Sequence, residues 1–353
     1  MSRLRVDDFD YALPPEAIAQ VPTEARDGAR LLALDRRSSR PSEPAVEHLV
    51  FRELAKLLQP GDLLVVNDTR VLAARLSAVR PGGGEAEILL LRPIDGPDHW
   101  EALVRPSRRI RIGERLGLRA GFTVEVGDRL DTGTRAVRFD RDAYLVMAEA
   151  GETPLPPYIR DRSVPAERYQ TVYARPAGSA AAPTAGLHFT PELLNSLAAA
   201  GVGQASVTLH VGLDTFRPLE GEFVDQHRIH REWYEIPSVT ASLLADTRRL
   251  GGRIVAVGTT TARVLETAAR DDVATGWSDL YIIPPHAFTA VDALITNFHL
   301  PKSSLLLLVT AFVQAGMRGT TALGARDTLL AAYRAALAEG YRFFSFGDAM
   351  FIG

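Results

Sequence analysis

Among its 353 residues the sequence has no cysteine. That absence rules out disulfides, thiolate metal sites and a cysteine nucleophile, and nothing points to an oxidising compartment. Lysine is almost as scarce, with Lys56 and Lys302 the only two. Nearly all positive charge is therefore guanidinium, which grips phosphate in a fixed two-pronged geometry, although base composition, visible also in the many alanines, accounts for most surface arginines. Long hydrophobic runs are missing too. The longest, at 305–313, is broken by Thr310 and falls well short of the ~20 residues that span a bilayer. Residues 1–10 turn acidic where a signal peptide needs an apolar stretch, so no export is expected and the expected location is cytoplasmic. Neither sign of charge dominates: a net charge of −3 excludes a globally basic nucleic-acid binder and leaves only local positive potential for that role.

What is present suits a folded protein. Hydrophobic residues make up 46% and charged residues 24%, which excludes disorder. The length predicts two domains, with one large elaborated domain as the fallback. Residues 13–58 read as helical and loop-like, including a helix at 51–58 closed by Pro60-Gly61. The period then changes to short strand-like runs at 63–66, 86–91, 100–104, 122–126 and 135–139, separated by turn clusters such as Pro81-Gly-Gly-Gly84 and Asp131-Thr-Gly133. Several short strands without intervening helices predict a small barrel or sandwich at about 64–148. After Pro154-Leu-Pro-Pro-Tyr158, strands at 205–211, 253–257 and 293–296 alternate with helices at 191–200, 238–250 and 261–270. This predicts an α/β layer with a largely parallel sheet. The expected organisation is a discontinuous α/β domain, 1–63 and 149–353, with a β domain inserted at 64–148.

Three histidines lie in short loops of small and hydroxylated residues: His188 in Ala182-Pro-Thr-Ala-Gly-Leu-His-Phe-Thr190, His210 in Thr208-Leu-His-Val-Gly212, and His299 in Thr296-Asn-Phe-His-Leu-Pro301. Imidazole changes protonation near neutral pH, and loops at element ends are where folds place chemistry. Any one of them alone reads as a buried, satisfied histidine; three in such settings read as an enzyme. Alternation over 207–211 puts Thr208 and His210 on one face. Val257-Gly-Thr-Thr-Thr-Ala-Arg263 reads as a strand, a glycine turn and a helix start whose N–H groups bind phosphate or carboxylate, or as simple N-capping by Thr259 or Thr260. His227, His230 and Glu232 invite a zinc or iron reading. Their spacing fits it poorly, and a polar network in which Glu232 orients an imidazole fits better. Arg105-Pro-Ser-Arg-Arg-Ile-Arg111 with Arg115 and Arg119 suits a phosphate backbone or a solvated face. Tyr158-Ile-Arg-Asp-Arg162, Arg168-Tyr-Gln170 and Tyr173 mix guanidinium with rings able to stack on an unpaired base. His299 precedes a buried-helix pattern begun by Pro301 and a serine cap.

Together the segments resemble one family, the S-adenosylmethionine:tRNA ribosyltransferase-isomerases of queuosine biosynthesis. The likeness runs nearly end to end. It is carried by Asp8-Phe-Asp-Tyr-Ala-Leu-Pro14, Pro60-Gly-Asp-Leu-Leu-Val-Val-Asn-Asp-Thr-Arg-Val71, Leu155-Pro-Pro-Tyr-Ile159, Tyr169-Gln-Thr-Val-Tyr173, the three histidine loops, the 258–263 turn and Tyr341-Arg-Phe-Phe-Ser-Phe-Gly-Asp-Ala-Met350. The resemblance implies an α/β domain carrying an inserted six-stranded β-barrel. It implies transfer and isomerisation of the ribosyl part of S-adenosylmethionine onto the 7-aminomethyl-7-deazaguanine wobble base of tRNA, giving epoxyqueuosine-tRNA, adenine and methionine. S-adenosylmethionine is then a co-substrate; no true cofactor, metal or membrane is implied, and a monomer suffices.

On that reading His188 or His210 is the base and Glu232 orients a histidine, while Thr184, Asn297 and His299 hold the sugar. Thr259 and Thr260 hold the methionine carboxylate or an RNA phosphate, with Arg263 nearby, and Tyr158 and Tyr169 stack on the flipped base. Phe189, Arg70, Arg105 and Asp348 complete the expected substrate-contacting set. Ala29, Asp214, Pro285 and the span 314–327 depart from the family pattern and leave room for a paralogue acting on another nucleobase. A non-catalytic RNA-binding protein and a hydrolase using a metal held by His227, His230 and Glu232 are the competing readings from other classes.

Overall fold

The first long element is a strand where the sequence pattern suggested helix and loop. The computed structural model describes residues 3–130, 133–212, 219–229 and 231–353, and in it β1 (Arg30–Arg40) forms an antiparallel hairpin with β2 (Glu43–Val50). Leu31, Leu32, Ala33 and Leu34 are all buried. A strand covered on both faces has no period-two pattern, which is why the run went unread. The expected 51–58 helix is only a 3₁₀ segment, Phe51–Lys56.

The chain divides into two compact units: Met1–Thr69, Pro157–Arg175 and Pro183–Gly353 form one, and Arg70–Pro156 with Pro176–Ala182 form the other. The strand β3 (Leu63–Asn67), whose run fell at the edge of the expected barrel segment, is buried at all five positions and belongs to the larger unit's sheet. An unbroken apolar run suits a central parallel strand better than a barrel stave.

The smaller unit follows. Its strands are β4 (Arg70–Val71), β5 (Arg75–Val79), β6 (Glu85–Pro93), β7 (His99–Arg105), β8 (Glu114–Leu118), β9 (Thr123–Arg129) and β10 (Arg135–Phe139). Helix α1 (Ala143–Ala150) and β11 (Gly151–Glu152) come next. The order β5-β6-β7-β10-β9-β8 is antiparallel throughout and closes through β5–β8, a six-stranded barrel. Alternation such as Leu76 and Ala78 buried between exposed Ser77 and Val79 packs its interior, and closure removes the free edges. Downstream, β12 (Ala177–Ser179) returns to pair with β4 in parallel. The sequence pattern had placed these residues with the α/β domain.

The larger unit resumes with α2 (Pro191–Ala199), β13 (Gly203–Leu209), β14 (Glu232–Glu235), α3 (Ser238–Arg249), β15 (Ile254–Val257), α4 (Thr259–Asp271), β16 (Thr275–Ser278), β17 (Ala293–Asn297), α5 (Ser304–Gly316), α6 (Ala322–Ala338) and β18 (Ala349–Ile352). Its nine-stranded sheet runs β16-β14-β13-β3-β15-β17-β18-β1-β2. The four central strands β13, β3, β15 and β17 are mutually parallel, and β14 with β16 on one side and β18 against β17 on the other run antiparallel. The sheet is therefore mixed, parallel through its centre and again where β18 pairs with β1.

Candidate active site

Because β3, β13, β15 and β17 point the same way, their carboxyl ends lie along one edge, where open α/β sheets bind ligands. Side chains from distant parts of the sequence meet there. Asn67 ends β3 fully buried; its Nδ2 donates to the Leu209 carbonyl (3.1 Å) and to Thr260 Oγ1 (3.4 Å), while its Oδ1 accepts from the backbone N–H of Leu209 (3.1 Å) and Thr69 (3.2 Å). One amide thus ties the ends of β3 and β13 to the first turn of α4. Asn67, Asp68 and Thr69 were missed as site residues by the sequence reading. The available signal was a polar Asn-Asp-Thr triplet directly after an apolar strand.

His210 follows β13 and is half-buried. Its Nδ1 lies 2.8 Å from Thr69 Oγ1, its ring stacks on Trp233 at 5.4 Å, and Nε2 has no hydrogen-bond partner among the described residues. Thr208, on the same face as expected, donates to Asp68 Oδ1 at 2.7 Å. Burial lowers the His210 pKa, and the Asp68 charge offsets part of that, so the ring is a neutral base near pH 7.

Two residues beyond His210, the Gly212 N–H donates to Glu232 Oε1 (2.6 Å), and Glu232 Oε2 receives the Arg263 guanidinium. Both charged groups are buried. The expected role for Glu232 was to orient an imidazole; among the described residues its oxygens anchor the turn after His210 and hold Arg263, whose charge is thereby paired. Helix α4 starts from Gly258 at φ +89°, with no side chain capping it. The capping alternative for Thr259 and Thr260 therefore does not apply. The Thr261 hydroxyl is spent on the Val257 carbonyl at 2.7 Å, so the first N–H groups of the helix face the strand edge uncapped.

Thr184 and Asn297, read as sugar-holding residues, do meet: Thr184 Oγ1 donates to Asn297 Oδ1 at 2.9 Å, and Asn297 Nδ2 donates to the Phe344 carbonyl at 3.2 Å. His188 is buried, stacked on Phe51, with Nε2 2.9 Å from the Gly347 carbonyl and Nδ1 3.2 Å from that of Ala185. With each nitrogen facing a carbonyl, neither lone pair is offered to a substrate. A Cβ on Gly186 would collide with the Tyr173 hydroxyl and the Thr171 methyl, which explains the glycine in this tight segment.

His299 is buried; its Nε2 lies 2.8 Å from Thr296 Oγ1, and its backbone N–H donates to the Tyr333 hydroxyl at 3.0 Å. Burial pushes its pKa from 6.5 down to about 3. The unfolded chain takes up this proton near pH 6.5 and the folded protein only near 3, so the contribution is fully present above pH 6.5 and lost as pH falls. The expected loss is about 1.4 kcal/mol per pH unit inside that window. Urea unfolding between about pH 7 and 5 measures it; an unchanged slope in His299→Gln would remove His299 as the cause.

Other expected contacts fall elsewhere. Phe189 is fully buried in the apolar core with Phe51 and Leu193, and Tyr169 is fully buried edge-on to Phe346. Neither has a face free for a base, so both are corrected to core residues. Asp348 is buried and accepts the backbone N–H groups of Arg30 (2.8 Å) and Arg342 (2.7 Å), a structural clamp rather than a substrate contact. Tyr158 stays half-buried, its hydroxyl 2.7 Å from Ser345 Oγ. In the smaller unit Arg70 lies in β4, and Arg105 ends β7. Arg105, Arg108, Arg109 and Arg111 are exposed without carboxylate partners among the described residues, whereas Arg115 pairs with Glu125 and Arg119 with Glu152.

The metal reading gains nothing. His230 and Asp214 lie outside the described residues, and among those described no group of three His, Asp or Glu side chains could hold a metal ion. No helix among them is long and apolar enough to cross a membrane. Of the other departures, Ala29 is buried, Pro285 follows a cis peptide bond, and 314–327 spans the end of α5 and the start of α6.

Comparison with known proteins agrees along the whole chain. The S-adenosylmethionine:tRNA ribosyltransferase-isomerase of Thermotoga maritima is 49% identical over 352 residues, covering 99% of this chain and 100% of the relative. That of Heliobacterium modesticaldum is 50% identical over 356 residues, covering 98% of each. A crystal structure of the S-adenosylmethionine tRNA ribosyltransferase from Thermotoga maritima matches with a TM-score of 0.55 and 39% identity, over 98% of this chain and all of that one. The family described as queuosine biosynthesis protein matches residues 6–352, and the chain belongs to that family.

Proposed function

We propose that this protein is an S-adenosylmethionine:tRNA ribosyltransferase-isomerase that joins the ribosyl part of S-adenosylmethionine to a 7-aminomethyl-7-deazaguanine wobble base. The name shared by its full-length relatives supports the activity. The observation that carries the site is His210: a neutral, half-buried imidazole at the carboxyl edge of the sheet, tethered through one nitrogen and, among the described residues, unpartnered at the other.

The positive sulfur of the donor acidifies its 5′ carbon. In the tautomer that donates Nδ1–H to Thr69, His210 Nε2 accepts that proton. Trp233 behind the ring and Thr69 beside it fix the direction of the lone pair. The uncapped first turn of α4, with Thr259 and Thr260, receives the methionine carboxylate. Thr184 and Asn297 present hydroxyl and amide groups to the sugar oxygens as adenine leaves. Tyr158, still half-exposed, is the ring available to stack on the extruded base.

The test is turnover. With S-adenosylmethionine and tRNA carrying the aminomethyl base, adenine, methionine and epoxyqueuosine-tRNA should form in equal amounts. Adenine without modified tRNA, or tRNA binding without adenine, would overturn the reading.

A further inference from the structure

Two guanidinium groups of the larger unit, Arg26 and Arg168, line one cleft, with Arg342 bonded to the neighbouring Val21 carbonyl, and among the described residues none of the three has a carboxylate to pair with. Arg26 donates to the carbonyls of Leu187 (3.0 Å) and Glu167 (2.8 Å). Arg168 donates to those of Glu24 (2.9 Å) and Thr23. Arg342 donates to that of Val21 at 3.1 Å. All three are half-buried, and among the described residues none forms an ion pair. Arg168 Nε and Arg342 Nη2 are buried donors without partners among the described residues. Carbonyl anchoring fixes each fork without neutralising it, which is unusual for guanidinium withdrawn from water.

Arg26 and Arg168 line a cleft with Thr23, His188, Ser345 and Gly347. The like charges feel each other: the Arg26 pKa is lowered by burial first and by Arg168 second, with the Glu167 carboxylate offsetting part of it. An anion seated at the mouth of the cleft, against the two guanidinium groups, would relieve that repulsion. Tyr158, hydrogen-bonded to Ser345, sets an aromatic ring beside it. Alternating guanidinium and ring is how proteins track single-stranded nucleic acid.

We infer that Arg26 and Arg168, flanked by Arg342, bind a backbone phosphodiester of the RNA acceptor. This rests on the proposed function for the identity of the partner, yet it is separable from the chemistry. The probe is an anticodon stem-loop RNA with an unmodified wobble guanine, whose binding is followed by fluorescence anisotropy from roughly 50 to 200 mM salt. Arg26→Gln and Arg168→Gln should each weaken binding about ten-fold and reduce the slope of log K against log salt by about 0.7 to 0.9. S-adenosylmethionine affinity should not change. Arg168→Lys, which keeps charge but not the fork, should restore the salt slope and only part of the affinity, and it serves should a glutamine variant not fold.

An unchanged slope with RNA binding intact overturns this site and leaves the ribosyltransferase reading standing. Weakened S-adenosylmethionine binding with unaltered RNA affinity overturns it in favour of a donor carboxylate. Failure of the wild-type protein to bind the RNA at all would remove both.

Discussion

Replacing His210 by alanine should lower kcat for adenine release by about a hundred- to ten-thousand-fold, the range lost when a general base is removed. S-adenosylmethionine binding should persist, because the ring contributes one lone pair and the donor's carboxylate and sugar are held by other residues. Since burial holds the His210 pKa below 6.5, the acid limb of kcat/KM should lie below pH 6.5 and vanish in His210→Ala. Thr69→Val, which deletes the tether at Nδ1, should reduce kcat without moving KM. His188→Gln makes the contrasting case: it removes a ring packed on Phe51 and spanning two carbonyls, so its cost should appear in unfolding free energy. Near-wild-type turnover in His210→Ala, with an active-site loss in His188→Gln, would reverse the assignment.

The second large effect is on stability. Glu232→Gln leaves the Arg263 guanidinium buried without its counter-charge, and breaking a buried pair from one side costs about 3–5 kcal/mol. Urea unfolding should report it as a lower midpoint with an unchanged m-value. Adding Arg263→Met should recover much of the loss, because no uncompensated charge then stays buried. A double variant no more stable than Glu232→Gln alone would mean that the pair is not what holds the turn after His210 in place.

Much of this architecture was legible in the amino-acid order. The barrel strands alternate, because only one face of each is packed, and β15 and β17 announced themselves as short apolar runs between helical stretches. β1 did not, because neighbours on both sides bury Leu31 to Leu34 and erase the alternation. In the site, Thr184, Asn297 and the start of α4 were already singled out, but neither the contact between the first two nor the absence of a side-chain cap was legible in the sequence. Nor was the role of Asn67: nothing local says that one amide will bridge two strands and a helix 142 and 193 residues away. Phe189 and Tyr169 were misread for a related reason. Motif membership cannot distinguish a ring that meets a substrate from one that supports the loop presenting it.

The placement of β18 affects how a nascent chain can mature. Those four residues sit between β17 and β1, so the hairpin of β1 and β2, although it shares an apolar core with the parallel strands, has no strand pairing that joins it to them until Ala349–Ile352 emerge. A ribosome that stalls or terminates before Ala349 releases a polypeptide whose sheet is split in two, with a pair of raw edges exposed to aggregation.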